Sequence, residues 1–198
     1  MPSLASPRGR ADGRGLPVTR ALAADVDRLA PERRGTGPTL VRAGHGLRSA
    51  DLEAFTRLGI PPELLEAAQI RRVTHREARD ECGIRHRSDH LEGIWYPSLD
   101  PDRGTVRSGR LRRDHPERDP HGGPLAKYVG PPDRHYLYFP PAVGPLLADT
   151  GASVVIVEAE NSALAVTAAA ARTGRRLLAI ATGGCWGWRG TIGKTIDL

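Results

Sequence analysis

The feature that most restricts the fold lies in the last third of the chain, where two apolar runs flank an alanine-rich stretch. Ser153–Val157 is dominated by β-branched residues without polar alternation, which is typical of a strand buried on both faces of a sheet. Ser162–Ala171 favours a helix, and Gly174 is suited to end it. Leu177–Ala181 has the length and composition of a second strand. Together these segments predict a βαβ unit, in which a right-handed helical crossover joins two parallel strands.

Two parallel strands need further partners, because so small a sheet is not stable in water by itself. Either earlier strands join the pair, or the chain ends before the sheet is complete. Leu91–Pro97 predicts a strand that ends at its proline, Asp100–Gly104 a turn, Thr105–Arg112 the return strand, and Tyr136–Phe139 a further short strand. We therefore expect an α/β protein with α+β character overall.

Short helices are predicted ahead of these strands. The signals for helix starts and stops give helices over 49–58 and 62–68, and a third that begins at Thr74 and stops at Gly83. Glu77 follows Thr74 at the spacing of a capping box. We expect four regions: a flexible, disordered Arg/Gly/Pro-rich arm over 1–48, a small helical segment over 49–88, a basic β-rich subdomain over 89–148 and the βαβ region over 149–198.

The charge balance favours a polyanionic partner. The 29 lysines and arginines outnumber the 23 acidic residues and give a net charge of +6 at pH 7, which suits either nucleic acid or an anionic membrane surface. Lys127 and Lys194 are the only lysines. The abundance of arginine has two explanations: arginine binds phosphate with a bidentate fork, and a GC-rich genome favours its codons.

Cysteine usage and hydropathy indicate the compartment. Cys82 and Cys185 are far apart and form no CxxC pair, so we expect a reducing compartment rather than a disulfide framework. No apolar run approaches the ~20 residues of a membrane span, and the start of the chain has no apolar segment of the kind that signal peptides contain. We expect a cytoplasmic protein without a membrane partner.

Glu158 directly follows the first predicted strand of the βαβ unit. Open α/β sheets bind ligands at the carboxyl ends of their strands, where a carboxylate can hold a hard metal ion or act as a general base. The alternative is that Glu158 or Glu160 only interacts with the dipole of the following helix. The spacing leaves both interpretations open.

Several stretches resemble TOPRIM domains, the catalytic fold of bacterial primases and of type IA and type II topoisomerases. Val154–Ala165 is similar to the opening motif of that family, a hydrophobic strand that ends in Glu before a short helix start. Ala181–Gly190 more closely resembles an uncharacterised TOPRIM-like domain of phage- and plasmid-type replication proteins, which is often fused to a helicase. The resemblance covers roughly residues 50–198 and includes Ile60–Leu65, Arg110–Pro116, Lys127–Tyr128 and Leu137–Pro141.

This resemblance implies a DNA-replication-associated protein of a mobile element, with a primase-type subdomain over 89–148 ahead of an incomplete TOPRIM-like subdomain over 149–198. It implies that Arg110, Arg112 and Lys127 contact the phosphates of DNA or RNA, in single-stranded form. It also implies that Glu158 is the catalytic carboxylate and a ligand of Mg²⁺ in primase-type nucleotidyl transfer. A helicase domain or partner is a further expectation.

The chain departs from the family pattern in three places. Ala159 stands where a glycine is usual, and Asn161 where a lysine or another polar residue is frequent. No strand ending in Asp-x-Asp follows Ile180, so we expect the TOPRIM-like part to be truncated and catalytically incomplete. Mg²⁺ is expected only if the site is completed, because that ion needs several oxygen ligands. The alternatives are a nucleic-acid-binding module without catalysis and a degenerate fragment of a primase-helicase.

Overall fold

The computed structural model of the protein describes residues 46–123, 125–132, 134–184 and 195–197, and it describes no side chains for 134, 135 and 195–197. The first 45 residues of the predicted arm lie outside the described residues, as do Cys185, Lys194 and the second half of the Ala181–Gly190 motif. The described residues form a mixed α/β fold with one antiparallel sheet of four strands and two parallel pairs of strands.

Five helices occur in the described ranges: α1 (Ser49–Arg57), α2 (Pro62–Ala67), α3 (His75–Asp80), α4 (Gly144–Leu147) and α5 (Glu160–Thr173). The strands there are β1 (Arg71–Val73), β2 (Gly93–Leu99), β3 (Val106–Arg113), β4 (Tyr128–Val129), β5 (Arg134–Tyr136), β6 (Ser153–Val157), β7 (Leu177–Ala181) and β8 (Thr195–Asp197).

The helix boundaries follow from local signals in the sequence. The predicted capping box of α3 is confirmed: the Glu77 N–H donates to Thr74 Oγ1 at 3.2 Å, and the Thr74 N–H donates to the Glu77 carboxylate at 2.7 Å. α5 ends at Gly174, which adopts the left-handed conformation with φ of 63°. Glycine has no Cβ atom and therefore adopts this conformation without the strain that other residues would have. The predicted helices over 49–58 and 62–68 each end one residue earlier than expected.

The antiparallel sheet has the strand order β1-β2-β3-β4. The predicted turn joins β2 to β3, and the Gly104 N–H donates to the Asp100 carbonyl at 2.8 Å. The prediction that β2 ends at Pro97 is wrong, because β2 continues to Leu99. β1 pairs only with Gly93–Trp95, so Pro97 has a neighbouring strand on one side, a position that tolerates a residue without an N–H.

Each face of this sheet is covered by a separate cluster of apolar side chains. One face presents Trp95, Leu111 and Val129 to α3 and the loop after it, where Ala78 and Ile84 are buried. The opposite face presents Ile94 and Tyr96 to a larger cluster. That cluster draws on α1, α2, α5 and β7 through Phe55, Leu65, Ala163, Leu164 and Ala179.

β6 and β7 form the parallel pair of the predicted βαβ unit, in register from Ser153 with Leu177 to Val157 with Ala181. The prediction of two parallel strands joined by a helix is confirmed. The prediction that the first strand is buried on both faces is wrong, because Val154 and Ile156 are 56% and 69% exposed. On the face of the pair that carries Val154 and Ile156, Phe139 and Val143 cover β7 and pack with Leu178 and Ile180. This cover does not extend to β6.

An earlier segment joins the parallel pair through Tyr138. Its N–H donates to the Ala181 carbonyl at 2.8 Å, and the Ala181 N–H donates to the Tyr138 carbonyl at 3.0 Å. This antiparallel bridge places an upstream residue beside β7 without adding a strand to the two-stranded sheet of β6 and β7. No helix within the described ranges is long and apolar enough to cross a lipid bilayer.

Candidate functional site

A cleft of about 280 Å³ lies between the antiparallel sheet and the loop that follows β7. β2 and β3 contribute Ser98, Ser108 and Arg110, β4 and β5 contribute Tyr128 and Tyr136, and the loop contributes Gly183. The cleft therefore borders the carboxyl end of β7, the edge at which open α/β sheets place their ligands.

Strand alternation explains why these side chains share one face of the antiparallel sheet. Tyr96 pairs directly with Arg110, and Ser98 pairs with Ser108. Side chains two residues apart on a strand point to the same face, and directly opposed residues are neighbours on that face. The apolar face of the same strands, with Trp95 and Leu111, therefore turns away from the cleft.

Arg110 is the cation of the cleft wall. Its side chain is 23% exposed, and its Nη1 donates to Glu160 Oε1 at 3.0 Å. Its guanidinium carbon lies 4.8 Å from the centre of the Tyr128 ring, within the range of a cation–π contact. Arg110 is thus held from two sides while part of its side chain stays open to solvent.

From the sequence, Glu160 was considered only in the alternative that Glu158 or Glu160 interacts with the dipole of the following helix. It is the first residue of α5, and its side chain is 3% exposed. Ala163 and Leu164 follow it by three and four residues and are fully buried, so all three lie on the same face of the helix. That periodicity is the signal in the sequence from which the burial of Glu160 could have been predicted.

A second arginine–tyrosine pair lies beside the first. The guanidinium carbon of Arg107 is 4.5 Å from the centre of the Tyr136 ring, and Tyr136 lines the cleft. Arg107 and Arg110 are both on β3. The cleft therefore combines two aromatic rings with the Arg110 cation, and Arg107 stacks on one of those rings.

Two buried tyrosines, Tyr96 and Tyr138, lie close enough to Glu160 for its charge to affect their pKa values. Burial raises the pKa of Tyr138 far above its usual range, and the negative charge of Glu160 raises that pKa further. Burial likewise raises the pKa of Tyr96. The Tyr138 hydroxyl is buried and has no hydrogen-bond partner among the residues that the structure describes. Both hydroxyls are therefore neutral at physiological pH.

The three residues predicted to contact phosphate occupy different positions. Arg110 lines the cleft. Arg112 is half-buried one pair further along β3, opposite Tyr128, and shares the face of Arg110. Lys127 is exposed just before β4, and its carbonyl accepts the Arg113 N–H at 2.9 Å.

A fully buried arginine that the sequence interpretation did not single out holds the loop before β4. Arg113 donates to the carbonyls of Ala126 and Leu125 at 3.0 and 2.8 Å and to the Glu117 carboxylate at 2.5 Å. The hydrogen bond from Arg113, with a second from Ser88, lowers the pKa of Glu117 to about 2. These contacts fix the segment that leads to Tyr128, so Arg113 supports the cleft from behind.

Glu158 lies where the sequence places it, directly after β6, and its side chain is exposed. Its carbonyl accepts the Gly184 N–H at 3.0 Å, which brings the loop after β7 alongside it. Across the described part of the chain, no group of three or more His, Cys, Asp or Glu side chains is arranged to hold a metal ion. The residues described around Glu158 therefore do not fit Mg²⁺, which needs several oxygens in octahedral geometry.

The cleft, rather than the Glu158 carboxylate, is the place where several predicted and unpredicted residues meet. Arg110 was predicted from the resemblance, whereas Glu160, Tyr136 and Ser98 were not. The resemblance to TOPRIM-like proteins stays a prediction. Comparisons with protein-family models, with curated proteins and with solved structures found no match to this chain.

Proposed function

We propose that this protein binds single-stranded DNA or RNA in the cleft around Arg110, as part of the replication machinery of a mobile element. The observation that carries the proposal is the position of Arg110, partly exposed in a cleft wall and stacked on Tyr128. The net charge of +6 supports a polyanionic ligand.

Arg110 has the donors that a phosphate needs. A guanidinium group has five N–H donors in a planar fork. Among the described residues, the side-chain hydrogen bond of Arg110 is the one to Glu160. Its other N–H groups can donate to phosphate oxygens, and such contacts give affinity without base preference.

The aromatic rings and the size of the cleft favour a single strand. Tyr128 and Tyr136 line the cleft, and base stacking on aromatic rings is how sequence-tolerant proteins hold single strands. A volume of about 280 Å³ lies just below the range of typical small-ligand pockets. The cleft therefore accommodates one nucleotide of a single strand, whereas a duplex would have to bind a wider surface.

The resemblance to TOPRIM-like replication proteins supports the biological setting: a cytoplasmic protein that works with a helicase domain or partner. The resemblance includes Arg110–Pro116 and Lys127–Tyr128, two segments that meet where β3 pairs with β4. Nucleotidyl transfer with Mg²⁺, the activity implied for intact relatives, needs carboxylates that the described residues do not place beside Glu158. Binding is therefore the function proposed for this chain.

The test measures how much Arg110 contributes to the affinity for a single strand. It is made in the Glu160→Gln background, because removing Arg110 there leaves no unpaired buried carboxylate. Glu160→Gln is compared with the double variant Arg110→Gln/Glu160→Gln, using fluorescence anisotropy of a labelled oligodeoxythymidine. We expect the double variant to bind about tenfold more weakly, as for the loss of a hydrogen bond to a charged group. The dependence of log Kd on log salt should become shallower by up to ~0.7.

The matched control is Arg76→Gln/Glu160→Gln. Arg76 lies on α3, behind the opposite face of the sheet, and its side chain is 90% exposed. This control removes the same positive charge at a position away from the cleft, so its effect on the affinity should be small. Equal loss of affinity in both double variants, or none in either, would refute the proposed site. Arg112→Gln and Lys127→Gln then measure how far the contact surface extends along β3 and β4.

A further inference from the structure

The pair formed by Arg110 and Glu160 is asymmetric in its exposure. The Glu160 side chain is 3% exposed, whereas that of Arg110 is 23% exposed and faces the cleft. An ionised carboxylate is costly to bury unless a cation neutralises it. The cation that meets Glu160 is therefore the same group that the cleft offers to a ligand.

We infer that Glu160 is an internal competitor for the phosphate: by pairing with Arg110, it lowers the affinity of the cleft for nucleic acid. This inference rests on the proposed function and names the residue that regulates the same site. Glu160 acts through Arg110 and is a positioning residue, since it lies behind the cleft wall and does not line the cleft.

The argument for competition is electrostatic. Water screens Glu160 poorly because the carboxylate is buried, so its charge acts on nearby groups more strongly than an exposed charge would. An incoming phosphate is attracted by Arg110 and repelled by Glu160 at nearly the same place. The ligand therefore meets a neutral pair rather than a free cation, although the remaining N–H donors of Arg110 still form hydrogen bonds.

Glu160 also fixes the position of Arg110, and this second effect has the opposite sign. A hydrogen bond of 3.0 Å and the Tyr128 ring at 4.8 Å keep the guanidinium group in one orientation, which lowers the entropic cost of binding. Glutamine separates the two effects, because its side-chain carbonyl can accept the same hydrogen bond without the negative charge. Competition predicts tighter binding after that substitution, whereas positioning alone predicts unchanged or weaker binding.

The experiment compares wild type with Glu160→Gln in titrations of labelled oligodeoxythymidine at several salt concentrations. We expect the variant to bind about fivefold more tightly, with a dependence of log Kd on log salt that is steeper by up to ~0.7, because Arg110 then acts as an unpaired cation. A purely structural role of Glu160 would not steepen the salt dependence. The control Glu53→Gln makes the same charge change at an exposed position on α1 and should bind like wild type.

Equal or weaker binding by a folded Glu160→Gln protein would overturn the inference. Glu160→Met removes the same charge with an apolar side chain of similar length and takes its place if the glutamine variant unfolds. Unfolding of both variants would make Glu160 a structural residue and would also overturn it. Failure of the proposed function has a different signature, in which Arg110→Gln/Glu160→Gln binds as well as Glu160→Gln.

Discussion

Arg72 shows how a single residue can join three parts of this fold. From β1 its guanidinium group donates to Asp51 of α1 at 2.7 and 3.1 Å and to Asp114, which follows β3, at 2.5 and 3.2 Å. Burial by itself raises the pKa of Asp51, but hydrogen bonds from the Arg72 side chain and the Arg48 N–H outweigh it, so that the pKa is lowered. Asp51 is therefore ionised in the folded protein at neutral pH.

We predict that Asp51→Asn lowers the free energy of unfolding at pH 7 by about 1.5–3 kcal/mol, the range for hydrogen bonds to charged groups. The folded pKa of Asp51 lies below its unfolded value of about 3.9. Its stabilising contribution is therefore complete above that value and is lost as the pH falls through the lower folded pKa. Urea unfolding at a series of pH values should show the two proteins converging below pH ~4.

The control for this prediction is Asp80→Asn, because Asp80 is 63% exposed in its pair with Arg76. Exposed pairs contribute about 0.2–1 kcal/mol, so its effect should be small at every pH. A stability difference between wild type and Asp51→Asn that does not change with pH would show that the charge of Asp51 is not what stabilises the fold.

The candidate site shows which residues sequence patterns can and cannot identify. The position of Glu158 after β6 was predictable from a strand signal that ends in a carboxylate. The pairing of Arg110 with Glu160 was not, because the two are 50 residues apart and nothing local links them. Glu158 and Glu160 are separated by one residue. Only the helical spacing of Glu160 with Ala163 and Leu164 distinguishes the buried acid from the exposed one.

At the scale of secondary structure, elements with strong local signals were predicted and weak ones were missed. α3 has its capping box, and α5 has its alanine-rich run and Gly174. β1 was missed because it has only three residues, two of which are arginines. It exists because it pairs with β2 and because Asp51 and Asp114 neutralise Arg72. Those are contacts distant in sequence, which a local pattern does not contain.

The register of β2 and β3 depends on a glycine. A Cβ atom at Gly109 would lie 2.4 Å from Trp95 Cζ2 and 2.6 Å from the Tyr96 carbonyl oxygen. We predict that Gly109→Ala lowers the free energy of unfolding by about 1–3 kcal/mol, as overpacking does. Denaturant unfolding followed by circular dichroism measures this change.

Gly46→Ala is the matched control, because a Cβ atom there would have no neighbour within 4 Å. It should change stability by less than about 0.5 kcal/mol. If Gly109→Ala is as stable as that control, Trp95 does not pack on Gly109 as described.

At the scale of the whole molecule, the antiparallel sheet and the βαβ unit share one core. Ile94 and Tyr96 of β2 belong to the same apolar cluster as Leu164 of α5 and Ala179 of β7. The sequence predicted the two parts separately. Their packing could not be predicted, because the contacting residues are distant in the chain and have no common pattern.

We predict that Leu164→Ala, made in the βαβ unit, destabilises the antiparallel sheet as well, at a cost of about 2–5 kcal/mol. The reporter is the fluorescence of Trp95, which is 5% exposed on β2, in a background where Trp186 and Trp188 are replaced by phenylalanine. The unfolding midpoint reported by Trp95 should fall together with the midpoint reported by the helical circular-dichroism signal. Leu147→Ala serves as control, since Leu147 is 43% exposed; a Trp95 midpoint unaffected by Leu164→Ala would mean that the two parts unfold independently.

The Arg110–Glu160 pair also has an evolutionary consequence. Loss of Arg110 alone strands a buried carboxylate, and loss of Glu160 alone leaves the cleft wall with an unopposed positive charge. Neither single change is neutral, so drift at one position is restrained by the other. Among descendants of this sequence, residues 110 and 160 should therefore change together, and such covariation would connect two segments that otherwise evolve far apart in the chain.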